Sequence, residues 1–379
     1  MQTNKQSIFT KKNILFIITS FCFACLMVVV SVLFVLKIDF STLKSTLKVW
    51  NKSNDKFILY IFALALFSVF RAVIFVLVII IQAHKMKNKI KWYHYIALGW
   101  MIIFLSNVTP FAIGAEPYVI FFINKYLFKN IKQATAFWLV NNTFVQLAQI
   151  IITWPSFFYV TDQYLQLSYQ NQFNFPYYYW LALGGLLLDI FVTSLYFVLA
   201  FSIKVHIFFH KVIIWFKKIL HLKYLPKKQL KTNFNWYVRY YYYQKWLILM
   251  GLGVGFVYNF VLYSLIFIVF LWSDRQTNNL NFIDWYNFTN ISVTATNFLP
   301  IPGSEGGVQF ILKTFIQSLS NLQTTSSDVD IIVFLWRFFS AYTGTFIGLL
   351  LFMIYFPMHS YQYYQKLKKP NLKVFKFNF

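Results

Sequence analysis

The stretch NFLPIPGSEGGVQF, residues 297–310, places two prolines, three glycines and one glutamate between apolar flanks. The only other glutamate of the chain, Glu116, lies in a similar stretch, SNVTPFAIGAEPYVIFF, residues 106–122. Proline removes a backbone N–H group and glycine permits conformations that other residues avoid, so both stretches should interrupt a helix. A carboxylate is costly in lipid. The architecture therefore depends on where these two breaks lie relative to the surrounding apolar runs.

The composition is that of a membrane protein. Of 379 residues, 59% are hydrophobic and 12% are charged, and the mean hydropathy is +0.57. The charged share is about half that of a typical soluble domain. Several apolar runs reach the roughly 20 residues that a helix needs to cross a hydrocarbon core of about 30 Å. The sequence therefore predicts an all-α polytopic membrane protein.

Six apolar runs are long enough to span a bilayer, and two more are interrupted. The six runs are residues 14–36, 57–82, 131–154, 177–203, 246–272 and 331–356. The interrupted segments are residues 91–128 and 285–320, each with a Pro/Gly cluster near its centre. Broken backbone at membrane depth occurs only where it is buried in protein or lines a wet cavity. We therefore predict two re-entrant hairpins.

The predicted elements repeat. The order span, span, hairpin, span occurs once in residues 14–154 and again in residues 177–356. Pro110 and Pro302 are 192 residues apart (302 − 110), which is close to half the chain. Three spans per half would give the second half the opposite orientation. Inverted repeats of this kind are typical of transporters whose sites form where broken helices meet near the midplane.

The distribution of positive charge predicts the orientation. The net charge of +24 comes mainly from lysines between the apolar runs, so it indicates topology and anionic lipid rather than nucleic acid. We expect an amphipathic loop at 204–245, the basic tail at 357–379 and both termini to be cytoplasmic, in a bacterial plasma membrane. Residues 155–176, without Lys or Arg, should be outside. Residues 37–56 carry five lysines yet also fall outside, against the rule.

Three motifs resemble a known family. The motifs are TPFAIGAEP (109–117), PIPGSEGGVQ (300–309) and LWRFFSAYTG (335–344). In order and spacing they are similar to the membrane region of lysylphosphatidylglycerol synthases and of stand-alone flippase-like proteins. This chain departs from the family pattern at Ala115, usually glycine, and at Gln309, usually glutamate, whereas Glu305 occupies a variable position. The resemblance implies movement of phospholipids between leaflets.

The motif residues form the predicted headgroup site. Its members are Thr109, Pro110, Gly114, Glu116 and Pro117 from the first break, Pro302, Gly303, Glu305, Gly306, Gly307 and Gln309 from the second, and Arg337. Arg337 is predicted to bind a lipid phosphate bidentately. Glu116 would take an ammonium group or carry a coupling proton. The alternatives are that Arg337 forms a structural ion pair with Asp189 or Glu116, and that Glu116 caps the half-helix after Pro117.

One helical face could form the wall of a polar path. Thr135, Asn142, Gln146, Gln149 and Thr153 share this face. They would line the headgroup cavity or, alternatively, form hydrogen bonds between helices. We assign two other charged residues of the apolar runs, Arg71 and Asp189, to helix packing.

Three functions remain open. The first is a phospholipid flippase, with membrane phospholipids as its partners. The second is a secondary transporter of a small polar solute, in which Glu116 or Glu305 is protonated. The third is the membrane subunit of a lipid-modifying enzyme whose catalytic domain is a separate chain. The sequence has no nucleophile elbow, zincin motif, phosphate loop or aminoacyltransferase domain, so we expect no catalytic residue, cofactor or metal in this chain.

Overall fold

The computed structural model describes most of the chain. It covers residues 18–19, 21–22, 25–26, 28–88, 90–109, 114–128, 130–171, 177–201, 215, 233–273, 280–297, 299, 301–319 and 326–368. Nearly all of these residues are helical, and none of them is in a strand. Pro110, Pro300, most of the predicted loop at 204–245 and the tail beyond residue 368 lie outside the described residues.

Twelve helices are described. In chain order they are α1 Phe40–Ser53, α2 Phe57–Lys85, α3 Trp92–Val108, α4 Ala115–Ile123, α5 Ile131–Asn171, α6 Tyr177–Phe201, α7 Asn233–Tyr242, α8 Lys245–Trp272, α9 Phe282–Thr296, α10 Gly307–Leu319, α11 Ser326–Arg337 and α12 Thr343–Lys368. Short π-helical turns lie at Ser31–Val35, Asn124–Phe128 and Phe338–Tyr342, and a 3₁₀ turn lies at Pro302–Ser304.

Four of the helical segments are long and apolar enough to cross a membrane. They are Phe57–Lys85, Ile131–Gln166, Lys245–Trp272 and Asp328–Tyr355. The chain is thus an all-α protein with spanning-length helices at four of the six predicted positions. At a fifth position, α6 carries a shorter apolar segment, Tyr179–Leu195. The run at 14–36 is described only in part.

Both interrupted segments are broken where the Pro/Gly clusters predict. Helix α3 ends at Val108 before α4 begins at Ala115, and α9 ends at Thr296 before α10 begins at Gly307. In each pair the two helices run antiparallel and face each other. The rings of Tyr95 and Phe122 lie 6.3 Å apart in the first pair, and those of Phe288 and Phe315 lie 6.1 Å apart in the second.

The two helix pairs open towards opposite ends of the bundle. The first pair leads directly into the start of α5 at Ile131. In the second pair, the start of α9 and the end of α10 both contact the C-terminal part of α5. Tyr159 donates to Asp284, at the start of α9, over 2.6 Å, and Tyr164 lies 3.1 Å from Ser318, near the end of α10.

The same helix neighbours recur in both halves of the chain. The contact of α2 with α3 corresponds to that of α8 with α9, and the contact of α4 with α5 corresponds to that of α10 with α11. Across the halves, α3 packs on α12 as α9 packs on α5. Helices α2 and α8 pack on each other.

A polar layer separates two large apolar clusters. Helix α2 contributes Val76 to the first cluster and Leu64 to the second, with Arg71 between them. Helices α5 and α8 and the α11–α12 segment are divided in the same way. Their intervening polar residues include Gln149, Thr153, Asn259, Ser340 and Thr345. The α3–α4 pair belongs to the first cluster and the α9–α10 pair to the second. Both breaks therefore face the polar layer.

Helix α1 is an element that the sequence reasoning missed. Residues 40–53 form an amphipathic helix rather than a loop. Its buried Trp50 contacts Trp272 edge-on at 6.2 Å, and the Trp272 indole donates to Asn51 over 3.0 Å. The five lysines of residues 37–56 are all exposed. They lie on and beside the outer surface of a helix packed against the end of α8, where the long side chains can reach water.

The last predicted span contains a change of helical register. A π-helical turn begins at Phe338, directly after Arg337, and joins α11 to α12. A π turn leaves backbone carbonyls without their usual partners, and such turns often occur at functional sites. The Ser68 hydroxyl of α2 donates to the carbonyl of Phe339 over 2.9 Å. Helix α2 thus satisfies one acceptor within this turn.

Two adjacent glycines of α6 test this packing. A methyl group at Gly185 would lie 2.2 Å from the Thr294 carbonyl of α9, whereas one at Gly184 would meet nothing within 4 Å. Gly185→Ala should therefore lower stability by about 1–3 kcal/mol, as overpacking does. Gly184→Ala should be neutral or should stabilise by up to about 1 kcal/mol through helix propensity. Thermal unfolding in detergent measures both. Equal stability of the two variants would contradict the packing of α6 on α9.

Candidate functional site

The second break is a turn that requires glycine. Gly303 and Gly306 have φ values of 60° and 81°, and Ser304 has a φ of 53°. Left-handed backbone is unfavourable for residues with a Cβ atom, which explains the glycines. A methyl group at Gly303 would also lie 3.2 Å from the carbonyl oxygen of Asn107, at the end of α3. The second break therefore lies directly against the last turn before the first break.

Glu305 is buried at the centre of this turn. Only 4% of its surface is exposed. One carboxylate oxygen lies 2.8 Å from a guanidinium nitrogen of Arg337. The other accepts from the Tyr342 hydroxyl over 2.9 Å and from the side-chain amide of Gln309. The Gln309 carbonyl in turn accepts from the backbone N–H of Gly306 over 2.8 Å. Every polar atom of the Glu305 carboxylate is thus satisfied.

Arg337 closes the second break. The nitrogen that pairs with Glu305 also donates to the carbonyl of Gly303. We call the Glu305–Arg337 pair and its bond to Gly303 the latch. The alternative that Arg337 pairs with Asp189 or Glu116 is wrong, because its partner is Glu305. Binding of a phosphate by Arg337 stays a prediction, and a phosphate would have to compete with Glu305 for this guanidinium.

The first break is closed by a hydroxyl group instead. The side chain of Thr109 donates to the carbonyl of Leu105 over 2.6 Å and accepts from the backbone N–H of Gly114 over 2.9 Å. One side chain therefore bridges the last turn of α3 and the start of α4. A methyl group at Gly114 would lie 2.4 Å from the Thr109 side chain, so only glycine permits this approach.

Glu116 follows this break and contacts a different helix. Its two carboxylate oxygens accept from the indole of Trp138 and, over 3.1 Å, from the side-chain amide of Asn142, both on α5. The carboxylate is thus turned towards α5, which does not support the alternative that it caps α4. No Lys, Arg or His among the described residues forms an ion pair with Glu116. A half-buried carboxylate held by neutral donors can still accept a cation.

The two breaks meet, but their glutamates do not share a partner. Asn107 contacts Gly303 through its carbonyl and donates its side-chain amide to Thr345 of α12 over 2.9 Å. Among the predicted site residues, Gly303, Glu305, Gln309 and Arg337 are in direct contact, as are Thr109 and Gly114. Pro302 is buried beside the latch, whereas Pro117 is exposed. A methyl group at Gly307 would lie 2.9 Å from the Leu299 side chain, whereas one at Gly306 would meet only the Val35 side chain, at 4.0 Å.

The polar face of α5 connects the two halves of the site. Asn142 binds Glu116, and Thr153 donates to Asn290 of α9 over 3.1 Å. Between them, Gln146 and Gln149 are half-buried and their side chains have no hydrogen bond within the described chain. Thr135 lies near the start of α5, and its hydroxyl donates to the backbone carbonyl of Ile131. The polar face of α5 therefore runs from the first break to the α9–α10 pair. Between them lie the side-chain amides of Gln146 and Gln149, which have no hydrogen bond to another described residue.

Two charged residues assigned to packing differ in their environment. Asp189 of α6 accepts from Asn297 over 3.1 Å and so fixes the end of α9. Arg71 is only 5% exposed, and its Nε and one terminal nitrogen are buried without a hydrogen-bond partner. Its guanidinium carbon lies 5.3 Å from the ring centre of Tyr258. A cation–π contact contributes about 0.5–2 kcal/mol, whereas burial of an unpaired ion costs several kcal/mol.

Sequence reasoning missed three residues of the site. Tyr342 donates to Glu305, Trp138 donates to Glu116, and Asn290 links α9 to α5. Tyr342 lies within the third motif but carries no sequence signal for a contact with Glu305, Trp138 is one aromatic residue in an aromatic-rich chain, and Asn290 is one of several polar residues of α9. Within the described ranges, no three His, Cys, Asp or Glu side chains are placed to hold a metal ion.

Comparison with known proteins gives relatives but no function. The chain is 32% identical over 265 residues to the uncharacterized protein MG306 homolog of Mycoplasma pneumoniae, and 32% identical over 266 residues to the uncharacterized protein MG306 of Mycoplasma genitalium. Each alignment covers 66% of this chain and 66% of the relative, slightly less than two thirds of its length. No family model and no solved structure matches the chain. The resemblance to lysylphosphatidylglycerol synthases stays a prediction.

The latch predicts a measurable coupling between its two charges. Removing one partner of a buried ion pair costs about 3–5 kcal/mol, because the other charge is left uncompensated. Arg337→Met and Glu305→Gln should each lower the free energy of unfolding by an amount of this order. The double variant should lose much less than the sum of the two.

Chemical denaturation in mixed micelles measures this cycle. Asp162→Asn is the control, because the Asp162 carboxylate is exposed and bonds only within its own helix to Gln166. It should change stability by less than about 0.5 kcal/mol. Additive losses in the Arg337 and Glu305 variants would show that the two charges do not act as a pair.

Proposed function

We propose that the chain is a phospholipid translocase of the cell membrane. In this proposal it has six spans and two re-entrant hairpins in inverted halves, with both termini in the cytoplasm. The recurrence of the same helix neighbours in both halves supports the inverted repeat. The antiparallel helix pairs, which open towards opposite ends of the bundle, support one hairpin entering from each side.

The polar layer is the observation that carries the proposal. Each of the two breaks faces it, and a side chain bonds to interrupted backbone in each half, Thr109 in the first and Arg337 in the second. A polar headgroup needs such a layer, since it must leave water while the acyl tails remain in the bilayer. The face of α5 that bears Asn142, Gln146, Gln149 and Thr153 would provide successive hydrogen bonds along that path.

A cavity favours a lipid over a small solute. It has a volume of about 360 Å³ and lies between α2 and α3, beginning at Val73 and Val76 and ending near His84, Asn88 and Trp92. Val73 is two residues beyond Arg71, so the cavity extends from the level of the polar layer to one end of the bundle. Its walls are mainly apolar with polar groups at the far end. An amphiphile matches this distribution better than a soluble ion does.

The two alternative functions predict different results in vesicle assays. A secondary transporter of a small polar solute would accumulate that solute in vesicles under a proton gradient, with Glu116 or Glu305 protonated. A membrane subunit of a lipid-modifying system would require a separate catalytic chain for any effect on lipids. Purified protein in vesicles of defined composition separates both alternatives from a translocase.

Replacement of Glu116 tests the headgroup site directly. In proteoliposomes with fluorescent phospholipids, the protein should increase the fraction that an impermeant quencher reaches. Glu116→Gln removes the charge but keeps the shape and hydrogen bonding of the side chain. It should slow movement of headgroups with an ammonium group, phosphatidylethanolamine or lysylphosphatidylglycerol, by about tenfold, which corresponds to one lost charge interaction of about 1.4 kcal/mol. Phosphatidylglycerol should be affected much less.

The transport assay has a matched control variant and a result that would contradict the proposal. Asp162→Asn, an equivalent change at an exposed carboxylate, should move all headgroups at the wild-type rate. The same melting temperature for Glu116→Gln and the wild type would exclude misfolding. If the wild-type protein moves no phospholipid faster than empty vesicles, the translocase proposal fails.

The orientation is tested by cysteine labelling. In a background with Cys22 and Cys25 replaced by alanine, a cysteine at Gln163 or Gln172 should react with an impermeant maleimide added outside intact cells. A cysteine at Gln229 should react only after the membrane is opened, because the lysine-rich loop around it should be cytoplasmic. Labelling in the reverse order would overturn the proposed orientation.

A further inference from the structure

Arg71 is a buried cation with no counter-ion among the residues that the structure describes. It lies at the middle of α2, is 5% exposed, and has two guanidinium nitrogens with no acceptor. The chain has ten acidic residues, and all but Asp274 are described. None of these nine forms an ion pair with Arg71. A guanidinium group does not lose its proton in a protein, so burial cannot neutralise this charge.

Glu116 is the corresponding unpaired anion. Its carboxylate is held by two neutral donors, Trp138 and Asn142, and by no cation of the described chain. The latch differs, because there each charge has the other as its partner. Among the described residues near the breaks, Glu305 and Arg337 thus neutralise each other, whereas Arg71 and Glu116 have no oppositely charged partner; Asp189, the other carboxylate there, is held by Asn297.

An aromatic wall connects the two separate charges. Trp138 donates to Glu116, and its ring lies 6.1 Å from that of Phe75. Phe75 lies 5.2 Å from the ring of Tyr258, whose centre is 5.3 Å from the Arg71 guanidinium carbon. The wall is built by three helices, α5, α2 and α8. Phe75 and Tyr258 are only half-buried, so part of the wall can be covered by a ligand.

We propose that Arg71 and Glu116 form a two-point site for a phosphate ester that also carries an ammonium group. Arg71 binds the phosphate, Glu116 binds the ammonium, and the aromatic wall covers the carbon atoms between them. The latch then has a structural role. This inference rests on the proposed translocase function for the source of its ligand, a lipid headgroup, although a soluble phosphate ester has the same chemistry.

Binding of soluble probes tests the site without transport. Purified protein in detergent is titrated with glycerophosphoethanolamine, glycerol 3-phosphate or ethanolamine, and the rise in melting temperature gives the affinity. Arg71→Met should weaken binding of both phosphate probes at least tenfold. Glu116→Gln should weaken glycerophosphoethanolamine at least tenfold and leave glycerol 3-phosphate unchanged. Arg239→Met, the same replacement at an exposed arginine of α7, should bind all probes like the wild type.

Stability without ligand distinguishes a binding residue from a structural one. Arg71→Met removes an uncompensated buried charge and keeps a similar volume, so its melting temperature without probe should equal or exceed that of the wild type. A clear fall in melting temperature would assign Arg71 to the folded framework and overturn the proposal. Wild-type affinity of Arg71→Met for glycerol 3-phosphate would overturn it as well.

Transport assays separate failure of this site from failure of the translocase function. If the wild-type protein moves phospholipids and Arg71→Met moves phosphatidylethanolamine at the same rate, the two-point site is wrong and the translocase stands. If the wild-type protein moves no lipid but binds glycerophosphoethanolamine through Arg71 and Glu116, the site stands as one for a soluble ester and the translocase is wrong.

Discussion

The ion pair between Glu305 and Arg337 fixes the interrupted backbone of the second half. Peptide groups without partners are costly in a medium that offers no water, so a break in a membrane helix needs donors and acceptors from elsewhere. Arg337 provides a donor to Gly303, and Glu305 compensates its charge. The π-helical turn begins at the next residue, and its Phe339 carbonyl is bound by Ser68 of α2. One charged pair thus joins the break, the register change and a neighbouring helix.

The first half meets the same constraint without an ion pair. Thr109 bridges the two half-helices with a single hydroxyl group, which donates to one backbone group and accepts from another. Its glutamate is therefore not needed to close the break. Glu116 is turned to α5, where only neutral groups hold it. The halves share an architecture but differ in chemistry: one carboxylate is used for structure, and the other remains able to bind a ligand.

The sequence predicts the elements of this fold better than it predicts their contacts. Proline and glycine act locally, so the two breaks are found at the expected positions. Helix α1 was missed because a search for spanning length overlooks 14 residues of amphipathic pattern. The partner of Arg337 depends on which side chain faces it from a turn 32 residues earlier (337 − 305), and periodicity has no information about that. The sequence shows that Arg71 lies in an apolar run, but only the structure shows that none of the nine described acidic residues pairs with it.

The latch gives a physical reason for glutamine at position 309. Gln309 uses both ends of its amide: the carbonyl accepts from the Gly306 N–H, and the NH₂ group donates to Glu305. An ionised glutamate at this position could accept from Gly306 but could not donate, and it would place a second negative charge beside one arginine. The turn needs one carboxylate within reach of Arg337, and glutamine at 309 is the residue that allows the carboxylate to be at 305.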